Sequence, residues 1–276
     1  MHFAIRYLTE YRYEQPVTDN LNALRVRPAT TSSQRTDDFI VRLDPETRIH
    51  RHADYFGTEV IEFGIAEPHD HLTMDVRARV VTAAPSDPPE AEWEMLRARS
   101  YREAAGEFLL PTGAEPPEGV LDDLFAVSRA KSPLATVRLL CELIPDHFVY
   151  RPGVTYVGST IEDLLEEGGG VCQDFVHLAL VLLRRQGIAA RYVSGYLHPK
   201  RNAKVGDTVD GQSHAWIQAW TGEWWNYDPT NDTEVNEQYI SVGVGRDYAD
   251  VTPLKGIYSG EGSTDLDVVV EITRLA

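Results

Sequence analysis

Cys172, His214 and Asp228 are of the types, and stand in the kinds of place, that nucleophilic chemistry requires. Cys172 follows the run Gly168-Gly169-Gly170-Val171 and opens a stretch, Gln173 to Arg185, with apolar residues at helical spacing. A thiol in the first turn of a helix lies among N–H groups without intrahelical acceptors, at the positive end of the helix dipole. Both features favour an anion, and the thiolate is the nucleophilic form of cysteine. The same place also suits an inert, buried cysteine, so this stretch alone leaves two readings open. A histidine could take the thiol proton, and a carboxylate beside that histidine would hold its tautomer and steady its charged form.

The elements that must position these groups follow from the pattern. Phe175, Val176, Ala179, Leu182 and Leu183 share one face of the helix after Cys172. Arg184 and Arg185 suit its C-terminal end, and Gly187 stops it. A helix this apolar belongs in a core, where packing would fix the thiol rigidly. Three strands are expected next, over 188–197, 213–220 and 224–228, the last two joined by the turn Thr221-Gly222-Glu223. That hairpin makes His214 and Asp228 near cross-strand partners. The polar stretch His198 to Gln212 reads as a flexible connection. Gly243 to Tyr248 reads as a loop bordering the site, with Arg246 and Asp247 as pairing groups; its Gly-x-Gly is too short for phosphate binding. Residues 265–273 form a final strand that returns to a sheet.

Upstream, residues 1–85 read as strands. Apolar and polar residues alternate over 59–65 and 72–81, with shorter runs at 3–8 and 39–43. The expectation is a small antiparallel β-domain, sandwich-like or curled. The proline-rich segment Ala84 to Pro89 marks a boundary, with the second domain over 86–276. From 90 to 147 the pattern turns helical. Val120, Leu121, Leu124, Phe125 and Val127-Ser128 share one helix face, and a further helix starts at Ser132-Pro133. Cys141 lies within its apolar run and reads as core. Thr160 and Asp163 are spaced as a capping box just ahead of the glycines. His50/His52 and His69/His71, each two residues apart, would share one strand face and could hold a metal. No acid or cysteine at helical spacing completes such a site, so they read as turn and edge residues.

Composition narrows the function classes. The chain has 276 residues, 42% hydrophobic and 25% charged, as a globular protein does. A net charge of −17 argues against nucleic acid or an anionic membrane as partner. Two cysteines make no disulfide framework. The start Met1-His2-Phe3-Ala4-Ile5-Arg6-Tyr7 lacks the regions of a signal peptide, and no apolar run nears the ~20 residues of a membrane span. These features lead to the expectation of a reducing, cytoplasmic setting. Acidic residues lack the spacing of an EF-hand, and no cofactor or metal is expected.

Longer matches join the three groups. Gly169-Gly170-Val171-Cys172-Gln173-Asp174-Phe175, Ala190-Arg191-Tyr192-Val193-Ser194-Gly195-Tyr196, Ser213-His214-Ala215-Trp216 and Tyr227-Asp228-Pro229-Thr230-Asn231 resemble the signature of the transglutaminase-like superfamily. Tyr11 to Val17, Asp54-Tyr55-Phe56-Gly57, Glu67-Pro68-His69 and Gly245 to Val251 resemble its bacterial branch with an N-terminal β-region. The resemblance spans nearly the whole chain. It implies an α+β fold: an antiparallel N-terminal β-domain, then a papain-like core whose central helix carries the nucleophile and packs on an antiparallel sheet. It also implies a Cys172/His214/Asp228 triad acting on an amide carbonyl through a thioester.

The expected activity is hydrolysis of peptide or amide bonds by a cysteine protease or amidase. The alternative is protein-glutamine γ-glutamyl transfer to a lysine or another amine. A peptide-binding module without catalysis and a zinc hydrolase on the N-terminal histidines rank lower. The backbone N–H of Cys172 is the natural first oxyanion donor, with Gln173 a further contributor. Asp174 is expected to cap or buttress the helix start and His177 to pack beneath the site. Tyr156, Tyr196 and Trp216 are groove candidates.

Overall fold

The computed structural model describes residues 1–276 except 113–115, 117, 118, 120, 123, 125, 127, 128, 201, 212 and 263. Strands β1 (His2–Leu24), β2 (Gln34–Asp44), β3 (Ile49–Ala53), β4 (Glu59–Ile65) and β5 (His69–Thr82) come first. Two short 3₁₀ turns, Met95–Arg97 and Gly106–Leu109, flank α1 (Arg99–Ala105). Then come α2 (Pro133–His147), β6 (Val149–Tyr150), α3 (Ile161–Glu167), β7 (Gly169–Gly170) and α4 (Cys172–Arg185). The remainder is β8 (Ala190–Leu197), β9 (Thr208–Gly211), β10 (Ser213–Trp220), β11 (Trp224–Asp228), β12 (Thr233–Glu234), β13 (Tyr239–Gly245), α5 (Tyr248–Val251), β14 (Leu254–Ser259) and β15 (Thr264–Arg274).

β1 organises the first sheet. Phe3, Ile5 and Tyr7 are buried while Ala4, Arg6 and Leu8 are half-exposed, the period of two of a strand with one covered face. Its first half, Phe3 to Tyr13, pairs with β15 on one edge and, as far as Arg12, with β5 on the other. Its second half pairs with β4 and β14. Register shifts between Arg12 and Val17 and between Thr18 and Leu21 let the long strand bend, so the eight-stranded sheet curls. β9, β14 and β15, all from beyond residue 85, join the sheet that residues 2–82 begin.

The second sheet has the order β12-β11-β10-β8-β13, with every pairing antiparallel. α4 packs against β8 and β10. From Asp174 to Arg184 every residue of α4 except His177 is buried, so apolar contact surrounds the helix beyond the one face read from sequence. Burying each Leu or Val side chain contributes about 1.5–3 kcal/mol before entropy is counted, which anchors the start of α4 as well. The overall class is α+β with mostly antiparallel strands.

Caps agree with local chemistry. Ser132 Oγ accepts from Ala135 N at 3.3 Å at the head of α2, with Pro133 behind it. Thr160 and Asp163 form the reciprocal box of α3: Asp163 N to Thr160 Oγ1 is 3.2 Å and Thr160 N to Asp163 Oδ2 is 2.7 Å. Cys141 is fully buried in α2, and burial raises its thiol well above the ordinary range. Of the helix face expected over 120–128, Val120, Phe125, Val127 and Ser128 lie outside the described residues, while Leu121 is fully buried. Two expectations need correction. The supposed flexible stretch 198–212 contains β9, whose Val209 is buried and whose backbone completes the edge of β15. Gly243 to Gly245 is no loop but the end of β13, bulged between Ser241 and Gly243, and it pairs with β8.

Candidate active site

The glycine run explains how Cys172 is placed. Gly168 ends α3 at φ +63°, the left-handed conformation that glycine adopts without strain. β7 then lies parallel to β6, Gly169 beside Val149 and Gly170 beside Tyr150. A Cβ on Gly169 would collide with the Val149 carbonyl oxygen, and one on Gly170 would fall 2.6 Å from Asp174 Oδ2. Only hydrogen at those positions lets the chain come this close before α4 begins. Asp174, 3% exposed, accepts from Val171 N at 2.8 Å and from Thr155 Oγ1 at 2.7 Å. Its carboxylate therefore closes the helix start from within. Val171 has no side-chain acceptor to complete a capping box, so the N–H groups of Cys172 and Gln173 stand in the first turn without intrahelical acceptors. Cys172 is partly exposed and packs against the main core.

His214 and Asp228 come from neighbouring strands. The register pairs Trp220 with Trp224 and Ile217 with Tyr227. Continued, it puts Asp228 opposite Trp216, diagonal to His214 rather than beside it. A diagonal neighbour is still within reach of an imidazole, and His214 Nε2 lies 2.7 Å from Asp228 Oδ2. Asp228 is fully buried and surrounded by donors. Oδ2 also accepts from Asn231 Nδ2 at 2.6 Å and Tyr239 Oη at 2.8 Å. Oδ1 accepts from the backbone N–H of Thr230 at 2.8 Å and of Asn231 at 3.3 Å. Burial pushes this carboxyl up, but the bonds from His214, Asn231 and Tyr239 and the imidazole's charge hold it below the usual range.

Burial pulls His214 down, yet its bonds to Asp228 and Cys172 and the charges of those partners together push it up to about 10. Cys172 is thus among the groups that charge the ring. Nε2 is engaged by Asp228, so Nδ1 is the ring nitrogen left over. Trp216 and Tyr239 flank the ring at centroid distances of 6.2 and 6.0 Å. The structure therefore brings together all three groups singled out from sequence.

The other expected residues divide. Gln173 lines a cavity beside Cys172. His177 also lines it, half-buried and accepting from Tyr248 N at 3.4 Å; burial lowers its pKa. Tyr196 is not a groove residue: it is 2% exposed and its Oη donates to Val26 O at 3.0 Å. Trp216 is fully buried and donates to Asn226 Oδ1 at 3.0 Å, so it backs the His214 ring instead of facing substrate. Both fail for one reason: an inward strand position facing a second layer has no free surface. Tyr156 is 74% exposed, and the adjoining Val157 to Ile161 rather than Tyr156 line the cavity. Tyr239, Asn231 and Tyr150 were missed. Asn231 was legible as part of an Asp-Pro-Thr-Asn turn that folds back on its aspartate. Tyr239 carries no local signal, since β13 reaches Asp228 only through the sheet. Tyr150, half-exposed on β6, has its phenol raised by burial and by the charges of Cys172 and Asp228.

Two cavities share Tyr248 as a wall. One, about 580 Å³, includes Gln173, His177, Tyr248 and the segment Val157 to Ile161. The other, about 370 Å³, includes Ser213, Tyr248, Tyr7, Thr9, Tyr11 and Val268. Tyr248 belongs to both, and its phenol is raised by burial and by the charges of Tyr7 and Cys172. Each cavity is lined by a chain neighbour of Cys172 or His214, Gln173 in one and Ser213 in the other, and the second borrows a wall from β1 and β15. For metals, the chemistry of the donors points elsewhere: His50, His52 and Glu62 cluster on the first sheet. His69 is committed otherwise, buried with Nε2 3.0 Å from Asn20 Nδ2.

Comparison with known proteins agrees with this architecture. Residues 3–81 match the bacterial transglutaminase-like N-terminal region, and residues 125–229 match the transglutaminase-like superfamily. A candidate cysteine protease from Cytophaga hutchinsonii shares the fold, with a TM-score of 0.74 at 22% identity, covering 98% of this chain and 90% of that one. The chain belongs to the transglutaminase-like superfamily, whose members are typically enzymes. Uncharacterized protein ML0607 of Mycobacterium leprae (strain TN) is 50% identical over 274 residues, 97% of each chain. A shorter match of 129 residues at 29% identity joins it to the protein-glutamine gamma-glutamyltransferase of Pseudomonas aeruginosa, covering 44% of this chain and 19% of that protein.

Proposed function

We propose that this chain is a cysteine-dependent acyl-transfer enzyme that cleaves peptide or amide bonds through a thioester, with water as its main acceptor. One observation carries the reading: an imidazole whose Nε2 is 2.7 Å from a fully buried, donor-saturated carboxylate is held charged by that carboxylate and by a partly exposed thiol at a helix start. In the proposed reaction Cys172 Sγ attacks the carbonyl carbon while His214 holds the thiol proton. The carbonyl oxygen gathers charge beside the free N–H groups of Cys172 and Gln173. Collapse breaks the C–N bond, and His214 passes the proton to the leaving amine. Water then adds to the thioester as His214 takes its proton, and the C–S bond breaks to give the acid and the thiol. Asp228 keeps Nε2 of His214 protonated and Nδ1 directed at sulfur.

The substrate in this reading lies across Tyr248, with one flank in the Gln173 cavity and the other in the Ser213 cavity. The lining of the second, tyrosine and threonine hydroxyls among aliphatic side chains, suits an uncharged flank. The second reading replaces water by a lysine amine, and the Pseudomonas aeruginosa relative, by its name, favours it. The test offers a glutamine-containing peptide with a labelled amine to wild type and Cys172→Ala. Release of free carboxylate supports hydrolysis, whereas dominant amine incorporation shifts the acceptor. If neither product depends on Cys172, and iodoacetamide labels Cys172 no faster than a free thiol, the reading is lost.

A further inference from the structure

The first sheet carries a cluster that the proposed reaction does not use. β3 and β4 pair antiparallel, with His50 directly opposite Glu62 and His52 opposite Val60. Period-two alternation puts His50 and His52 on one face, where their rings stack with centroids 5.7 Å apart and planes at 27°. Glu62 stands on the same face, its Oε2 3.9 Å from His52 Nδ1. One donor atom from each of the three residues lies within 4.8 Å of the other two, and all three residues are exposed. Arg51, between the histidines, reaches instead to Glu59 at 3.9 Å.

We propose that His50, His52 and Glu62 form a site for a borderline divalent transition metal of the zinc type. Two imidazoles and one carboxylate are the donors such ions prefer, whereas calcium and magnesium take all-oxygen sets. Metal–ligand bonds of about 2.0–2.1 Å at tetrahedral angles set donors about 3.3 Å apart. The three side chains must therefore draw in by roughly 1 Å, which exposed rotamers on a paired backbone can do. The single close partner within the cluster is the 3.9 Å His52–Glu62 pair, so no short hydrogen bond between them must be broken first. Three protein donors leave a position for water or an outside ligand. His50 and Glu62 also line a cavity of about 760 Å³ with Arg48, Lys255, Phe63 and Ile257, so a bound ion would stand at its rim. The cationic side chains on that wall suit an anionic group as the outside ligand. None of the three residues lines the Gln173 or the Ser213 cavity, and the proposal does not depend on the acyl-transfer reading.

The test titrates zinc into metal-free, full-length Cys172→Ala protein against a chromophoric chelator, which removes the thiol as a competing ligand. One zinc per chain is expected. His50→Ala/His52→Ala should abolish binding, and Glu62→Gln should weaken it by at least the roughly 10–100-fold that losing an outer-shell partner costs. Unchanged circular dichroism of the variants excludes unfolding as the cause. Either no binding by the parent, or equal binding by the double variant, overturns the proposal.

Discussion

Two histidine–carboxylate sets in this molecule are built to opposite rules. His214 and Asp228 share a site where the carboxylate is fully buried and accepts from five donors. His52 and Glu62 lie 3.9 Å apart with side chains 39% and 50% exposed. Burial with saturation holds one charge state and one geometry, because an unpaired charge there would be costly. Exposure fixes neither, and leaves donor atoms that an ion can gather. The first arrangement suits proton transfer at a set place; the second suits capture of a ligand.

The sharpest way to break this contrast is to neutralise each carboxylate. Asp228→Asn should lower acyl transfer by about 10⁴-fold, since an amide carries no charge to steady the imidazolium and can turn its NH₂ to the ring in place of an acceptor. Glu62→Gln should leave turnover unchanged. Retention of more than a tenth of the wild-type rate by Asp228→Asn would remove the orienting role from the buried set.

A pH series separates the two sets next. His214 is raised in the folded chain to about 10, so its contribution to stability is complete below its unfolded value of ~6.5 and is lost as pH rises toward 10. Asp228 is lowered, so its contribution is present above ~3.9 and is lost as pH falls through its folded value. The melting-temperature gap between wild type and His214→Ala should therefore be widest between roughly pH 4 and 6.5 and shrink toward pH 10. A gap that stays constant from neutral to strongly alkaline pH would rule out a retained imidazolium.

Smaller changes refine the comparison. Tyr239→Phe removes one donor from Asp228 and should cost about 1 kcal/mol in urea unfolding, with a rate loss of a few-fold. No loss in either would show that the other four donors suffice. At the small end, Glu62→Gln and His52→Ala should each move metal-free stability by less than about 0.5 kcal/mol, as exposed positions do. A larger cost would mean the exposed set is structural.

Much of the half that carries Cys172, His214 and Asp228 was legible because it is local. Glycines before a cysteine, the apolar period of α4, the Ser132 and Thr160 caps and the hairpin over 213–228 each depend on residues close in sequence. The final strand was legible as a strand, but its partner was not: β15 pairs with β1 across almost the full chain length. The groove residues were misjudged for a related reason. Tyr196 and Trp216 alternate correctly within their strands, but the layer that covers them comes from Val26 and β13.

By itself, then, the sequence determined the helix that Cys172 opens and the strands that carry His214 and Asp228. Hydrogen bonding and apolar periodicity act over a few residues, so local composition is enough for that. The tertiary structure alone decided which surfaces are covered and which distant side chains converge. Tyr7 beside Tyr248 joins opposite ends of the chain, and Tyr239 meets Asp228 although β10 and β8 stand between their strands in the sheet, so neither pairing follows from local pattern.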